Sequence, residues 1–283
     1  MKSILIPTDF SENAMNAIRF ALEFFKYDTT NFYFMHVYED EVYNNHELLE
    51  EETFDEVLDM VRNQSQLKLE LLLKEVKTIA PNPRYQYYVI SAYNSLIDEA
   101  ETLVIGKNID LIVMGTKGET SHKSFAFGSN TLQVLKYVSC PVLAIPELYV
   151  YAKPKHVLFP TNYLIPFRRR ELNLLSNMLS PFRSVIDMLY ISKSKKLSKR
   201  QEDNKDFLES ELSENELNFK TITSKNITET IYNYIEANTI DLLVMVNTRH
   251  SFLEDMLYRC KVDDICLHSQ IPFLALQNIR RRH

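Results

Sequence analysis

The chain holds four glycines in 283 residues, and three of them fall in one stretch: Gly115-Thr-Lys-Gly118, nine residues, then Gly128-Ser129. The fourth, Gly106, lies just upstream. So glycine-poor a chain is expected to keep glycine where a side chain cannot sit, at positive φ or against a ligand. The stretch follows an apolar strand-like run, Asp110-Leu-Ile-Val-Met114, and precedes a helix-like run, Asn130-Thr-Leu-Gln-Val-Leu-Lys-Tyr137. Strand, glycine loop and helix N-terminus bind phosphate, because N–H groups and the positive end of the helix dipole converge there. In this reading Gly115 ends a strand and lets its bare backbone approach a ligand. Gly118 and Gly128 let the loop bend round phosphate. The Ser129 hydroxyl and the N–H groups of Ser129 and Asn130 open the next helix, where an anionic oxygen is favoured by about 0.3–1 kcal/mol or more. The competing reading is an ordinary turn. Lys117, His122 and Lys123 inside the loop either touch phosphate or are solvated loop charges.

Asp9 stands at the end of the first strand-like run, where open α/β sheets place ligands. Its alternative role is helix capping. His36 is expected to pack locally at a strand end rather than bind metal. The cysteines, 140, 260 and 266, are few and odd in number, as for reduced thiols of the cytosol. No Cys or His pair has zinc spacing.

These residues need a scaffold, and the pattern supplies one. Strand-like runs cover 3–7, 32–38, 85–90, 110–115 and 141–145. Between the first two, Ala14, Ala17, Ile18, Ala21, Leu22 and Phe25 share one helical face. Ser11 is the expected N-cap, with Glu12 and Asn13 in the first turn. Residues 47–79 read as one or two acidic amphipathic helices, and 94–106 and 129–138 supply two more. Near-continuously apolar strands alternating with helices predict a doubly wound parallel α/β sheet.

The plan occurs twice. Ser3-Ile-Leu-Ile-Pro-Thr-Asp-Phe10 returns as His156-Val-Leu-Phe-Pro-Thr-Asn-Tyr163. Ile109-Asp-Leu-Ile-Val-Met114 returns as Ile240-Asp-Leu-Leu-Val-Met245, and Cys140-Pro-Val-Leu-Ala-Ile145 as Ile271-Pro-Phe-Leu-Ala-Leu276. The conserved order marks a tandem duplication, with domains expected over 1–150 and 151–283 and a Tyr-rich connector between Pro146 and Pro154. The last strands, 141–145 and 271–276, are expected side by side, because each would otherwise leave an apolar edge exposed.

Charge divides along the same line. Residues 1–152 carry 12 Lys+Arg against 22 Asp+Glu, and residues 153–283 carry 20 against 16, for a net −6 overall. The acidity argues against general nucleic-acid binding. The opposite signs favour docking of the halves, mainly through steering. No apolar run reaches membrane-spanning length, and the N-terminus reads as a first strand rather than a signal peptide. A cytoplasmic location is the expectation.

The spacing Gly115-x2-Gly118-x9-Gly128-Ser129 resembles the ATP-binding signature of the universal stress protein family. Ile4-Leu-Ile-Pro-Thr-Asp9-Phe-Ser11, Met35-His36-Val37 and Cys140-Pro-Val-Leu-Ala-Ile-Pro146 resemble that family's first strand, second-strand end and last strand. The resemblance covers the chain as two tandem domains, and the glycine motif only the first. It implies five-stranded domains of the adenine-nucleotide alpha hydrolase-like type, often paired through the last strand. It also implies a stress-response or signalling role with ATP, ADP or AMP bound, accompanied or not by Mg. The residues implied as binding are Pro7, Thr8, Asp9, Val37, Met114, Gly115, Gly118, Gly128, Ser129 and Asn130. Asp9 falls near the adenosine, and Val37 lends its backbone to the adenine edge.

The second copy departs at each motif position. Asp9 is matched by Asn162, Gly115 by Val246 and Gly118 by Arg249, and no Gly-Ser occurs in the region of Leu257–His268. It is expected not to bind nucleotide and to serve as an internal dimer partner, with a further homodimer left open. The rival function is a nucleotide-independent scaffold acting through protein contacts, with its partner unspecified. An enzyme is disfavoured beyond slow ATP hydrolysis. The chain lacks GxxxxGK[ST], GxGxxG and an SGGxDS-type loop, and it shows no Walker-type Mg ligand or positioned base. Lys195-Lys-Leu-Ser-Lys199 has a faint likeness to a synthetase signature, without its HxGH companion. Arg168-Arg-Arg170 and Arg280-Arg-Arg282 are surface clusters or contacts for an anionic partner or a dimer.

Overall fold

The computed structural model describes residues 1–116, 127–165, 167–192, 196–247 and 270–278. Lys117, Gly118, His122, Lys123, Lys195, Arg249, Leu257–His268, Cys260, Cys266 and Arg280–Arg282 lie outside them.

The strands are β1 (Lys2–Pro7), β2 (Thr30–Val37), β3 (Tyr85–Ala92), β4 (Leu111–Gly115), β5 (Val142–Ile145), β6 (His156–Thr161), β7 (Val185–Ser192), β8 (Glu216–Thr223), β9 (Leu242–Asn247) and β10 (Phe273–Gln277). The helices are α1 (Glu12–Phe24), α2 (Glu39–Tyr43), α3 (His46–Glu51), α4 (Phe54–Ile79), α5 (Leu96–Gly106), α6 (Ser129–Tyr137), α7 (Arg169–Leu179), α8 (Lys199–Glu211) and α9 (Ile227–Ala237). The acidic stretch expected as one or two helices is thus α3 and α4, separated by the Thr53 cap. There the Thr53 side chain and Glu56 form a capping box, which stops the helix from running back into α3.

All ten strands form one sheet in the order β3-β2-β1-β4-β5-β10-β9-β6-β7-β8. Every neighbouring pair is parallel except β5 with β10, which is antiparallel with Leu143 opposite Leu274. The two apolar runs expected side by side therefore meet at the centre of the sheet. The buried strand residues are apolar on both faces because helices cover both. One core unites α1, α4, α7 and α8, and the other unites α5, α6 and α9. Both cores continue across the central seam. Phe24 of α1 lies 5.3 Å from Phe182, which follows α7, and Phe20 packs on Tyr149 and Tyr151 of the connector. Each fully buried side chain of this kind contributes about 1.5–3 kcal/mol, so apolar burial outweighs steering at the seam. Cross-seam charge pairing is modest by comparison: Arg170 stands 3.8 Å from Asp110, at a half-exposed site.

A repeated carboxylate ties each half together. Asp110 Oδ2 accepts from the Ser3 N–H at 2.9 Å. Its counterpart Asp241 accepts from the Lys155 and His156 N–H groups at 2.8 and 2.9 Å. The Ile-Asp pairs of the repeat thus pin the starts of β1 and β6. Arg168, Arg169 and Arg170 splay toward Asn278, Glu211 and Asp110 rather than forming one basic patch.

Candidate functional site

The candidate site lies where β1 and β4 part. Their pairing covers Ile4–Leu111 and Leu5–Ile112, and both strands then run on. Chain order reverses on either side of this point, so the crevice at the carboxyl ends of β1 and β4 is the switch point of the first half. Pro7 and Thr8 end one wall, and Met114 and Gly115 end the other. Val37 closes β2 on the same edge, beside Ala92 of β3. Gly128, Ser129 and Asn130 open α6 there, and the Thr131 hydroxyl donates to the Gly115 carbonyl at 2.9 Å. The described part of the expected set is thus gathered at one end of the sheet.

Local hydrogen bonds shape the first wall. The Thr8 N–H donates to the Met35 carbonyl, and the Thr8 hydroxyl accepts from the Phe10 N–H at 3.0 Å. Phe10 turns into the left-handed region at φ 63°. Asp9 is exposed, and its Oδ1 accepts from the Ser11 N–H at 3.0 Å and the Ser11 hydroxyl at 2.6 Å. Ser11 Oγ in turn accepts from the Ala14 N–H as N-cap of α1. Asp9 therefore braces the Ser11 cap, and Ser11 itself caps α1.

The glycines are explained differently from the expectation. No described glycine has positive φ. Gly106 faces open space, so sterics do not demand glycine there. At Gly115 they do, and the neighbour is the protein: an added Cβ would lie 2.7 Å from Asn13 Nδ2 and 3.2 Å from the Asn13 carbonyl. Gly115 lets α1 approach the end of β4, a packing role that sequence reasoning missed although Asn13 was placed in the first turn. Gly128 is the N-cap of α6 at φ −68° and ψ 162°. Ser11, Thr53 and Ser95 cap α1, α4 and α5 with side-chain oxygens. Gly128 has no side chain to fill that role, which suits a helix end that meets an external anion.

Behind this edge is a polar cluster centred on His36, which is 3% exposed. Its Nδ1 lies 2.9 Å from Ser65 Oγ, its Nε2 lies 3.0 Å from Glu41 Oε1, and the Phe10 ring packs against it at a tilt, 4.6 Å between centroids. Ser65 Oγ continues to Ser91 Oγ at 2.7 Å. The bond from His36 holds the Glu41 carboxyl below its ordinary range. His36 thus packs locally, joining β2 to α2, α4 and β3. Among the described residues no group of three or more His, Cys, Asp or Glu is placed to hold a metal ion. Nor is any helix there long and apolar enough to cross a membrane.

The second half repeats the backbone of the site and fills it differently. β6 and β9 pair at Val157–Leu242 and Leu158–Leu243 and then part. Thr161 Oγ1 accepts from the Tyr163 N–H at 3.0 Å, Asn162 Oδ1 accepts from the Leu164 N–H at 2.9 Å, and Tyr163 is left-handed at φ 54°. The connector from β6 to α7 spans 162–168, whereas only 8–11 separate β1 from α1. The extra length brings Ile165 and Phe167 against Phe159, Thr161 and Val246, leaving a cavity of about 10 Å³. That is room for at most one water. Val246 is 9% exposed at the Gly115 position. Gln201 of α8 also donates to the Asn162 carbonyl at 2.8 Å, fastening the loop from outside.

Comparison with known proteins agrees with this fold. The family model described as the universal stress protein family matches residues 1–146, half of the chain. Two curated universal stress proteins of Methanocaldococcus jannaschii are similar to it. One is 25% identical over 156 residues, covering 51% of this chain and 94% of that protein. The other is 26% identical over 146 residues, covering 52% and 82%. The crystal structure of a universal stress protein from Archaeoglobus fulgidus aligns over 97% of this chain and 98% of its own, with a TM-score of 0.71 at 17% identity. That likeness extends the fold to both halves.

Proposed function

The chain belongs to the universal stress protein family, and from that premise we propose that it binds one adenine nucleotide, in its first half only. The observation that carries this reading is the meeting of the β1 and β4 ends with α6, a helix whose N-cap is Gly128. Asp9 and the Val37 backbone take the nucleoside. The α6 amides at Ser129 and Asn130, with the Ser129 hydroxyl, take phosphate oxygens. Gly118 belongs to the same phosphate loop. ATP, ADP and AMP share this chemistry, and Mg is an optional companion of the phosphates.

The second half, taken as residues 151–283, serves as an internal partner to residues 1–150. Support comes from the antiparallel β5–β10 seam and from Ile165 and Phe167 at the second switch point. The role is one of holding a nucleotide in a cytoplasmic stress or signalling response. Backbone amides that bind ground and transition states alike do not accelerate cleavage.

The test is direct. Purified protein is denatured and the supernatant analysed by mass spectrometry for released adenine nucleotide, and stripped protein is titrated by calorimetry. One site per chain is expected, lost in Gly118→Val and Gly128→Val with the circular dichroism spectrum intact. Two equivalent sites would overturn the asymmetry. Full-length protein that neither carries nor binds nucleotide would favour the scaffold reading. Phosphate release faster than about one per second, abolished in Gly128→Val, would make the protein an enzyme.

A further inference from the structure

We propose that the second half sets the affinity of the first for phosphate by holding α6 at both ends along β10. The inference rests on the nucleotide reading above and adds Asn247 and Gln277, which no sequence motif marks.

At its C-terminal end α6 exposes carbonyls that have no partner within the helix. One of them, Leu135, accepts from Asn247 Nδ2 at 2.6 Å and from Gln277 Nε2 at 3.0 Å. Asn247 Nδ2 also donates to Gln277 Oε1 at 2.9 Å. Asn247 ends β9 and Gln277 ends β10, and they are 8% and 1% exposed. Buried amides are costly when unpaired, so this triangle holds its geometry closely. Its donors also face the negative end of the helix dipole.

At the other end, Phe127 immediately precedes the Gly128 cap, and its ring lies 5.8 Å from Phe273, the first residue of β10. The lengths match. Phe273 to Gln277 spans about 13 Å at strand rise, and the nine residues of α6 rise about 13 Å. The strand therefore brackets the helix, with an aromatic contact behind the phosphate end and an amide clamp at the far end. Asn247 stands where the first copy has Thr116, one residue beyond the lost glycine. The degraded site of the second half thus supplies the clamp on the intact one. Asn247 and Gln277 are positioning residues: they touch no nucleotide, and they fix where the Ser129 and Asn130 amides stand.

Two variants of the full chain test this. Asn247→Asp sets an acceptor against the Leu135 carbonyl, and Gln277→Leu removes one donor at similar volume. Each is titrated by calorimetry with ATP and, separately, with adenosine, which lacks the groups that α6 holds. The expected result is an ATP affinity reduced about five- to tenfold, within the usual range of site-to-site coupling, with adenosine affinity within about twofold of wild type. Faster hydrogen exchange of α6 amides should accompany it. Equal loss for both ligands means general destabilisation and overturns the proposal, as does an unchanged ATP affinity in a folded Gln277→Leu protein. Wild-type protein that binds neither ligand defeats the nucleotide reading itself and this inference with it. Wild-type protein that binds ATP, with an unaltered ATP-to-adenosine ratio in the variants, defeats the inference alone.

Discussion

The two switch points of this sheet have nearly the same backbone and opposite contents. At the first, Thr8, Asp9 and Phe10 make a short turn into α1. At the second, Thr161, Asn162 and Tyr163 make the same turn with the same hydrogen bonds and the same left-handed residue. Beyond that turn they diverge. The first passes directly into a helix whose Asn13 rests on Gly115. The second runs four residues further and lays Ile165 and Phe167 over the strand ends beside Val246. Duplication preserved the hydrogen-bonded frame, in which the Phe10 and Tyr163 N–H groups, part-buried and buried, find partners in Thr8 and Thr161. The side chains that line the crevice differ: Ile165 and Phe167 form an apolar plug at the second, and burying such groups is itself stabilising.

Exchanging residues between the two crevices gives the largest expected effect. Gly115→Val puts the second half's residue into the first, where even a Cβ comes within 2.7 Å of Asn13. Overpacking of this kind costs about 1–3 kcal/mol. The variant should shift the urea midpoint accordingly and lose nucleotide binding. A folded variant of wild-type stability and affinity would show that Asn13 simply swings away.

The reverse change is gentler. Phe167→Ala opens the second crevice, and as Phe167 is only partly buried the loss should be about 1–3 kcal/mol, below the range for a fully buried ring. Nucleotide stoichiometry should stay at one per chain, because Val246 remains. A second site in calorimetry would mean that the plug alone separates the halves.

The repeated aspartates sharpen the comparison further. Asp241 accepts two backbone N–H groups and Asp110 accepts one. Charge-assisted bonds contribute about 1.5–3 kcal/mol each at most. Asp241→Ala should therefore lower stability more than Asp110→Ala in matched denaturation curves, and equal losses would refute the ranking.

The smallest effect concerns Glu41, whose Oε1 lies 3.0 Å from His36 Nε2. A carboxyl held low in the folded state stabilises the protein above its unfolded value near 4.3. That contribution is lost as pH falls through the lower folded value. The Glu41 side chain is 49% exposed, so the gain is under about 1 kcal/mol. Glu41→Gln should lower stability slightly at pH 7 and flatten the acid limb of the stability curve. An unchanged acid limb would detach His36 and Glu41 from stability.

Much of this molecule was legible in one dimension. The apolar runs at 3–7, 110–115 and 141–145, their return at 156, 240 and 271, and the cap at Ser11 determine a doubled, parallel α/β plan, because strand burial and helix capping are local demands on residue type. The glycine spacing likewise marks the connection from the end of β4 to the start of α6. What the sequence could not disclose depends on distant partners. The reason for Gly115 is Asn13, a hundred residues away. The filling of the second crevice depends on a connector whose extra length says nothing of where Ile165 and Phe167 come to rest. The clamp on Leu135 requires β9 and β10 to cross the seam and meet α6. Only packing decides such contacts, since neither periodicity nor spacing encodes which buried amide will face which carbonyl once the two halves share a sheet.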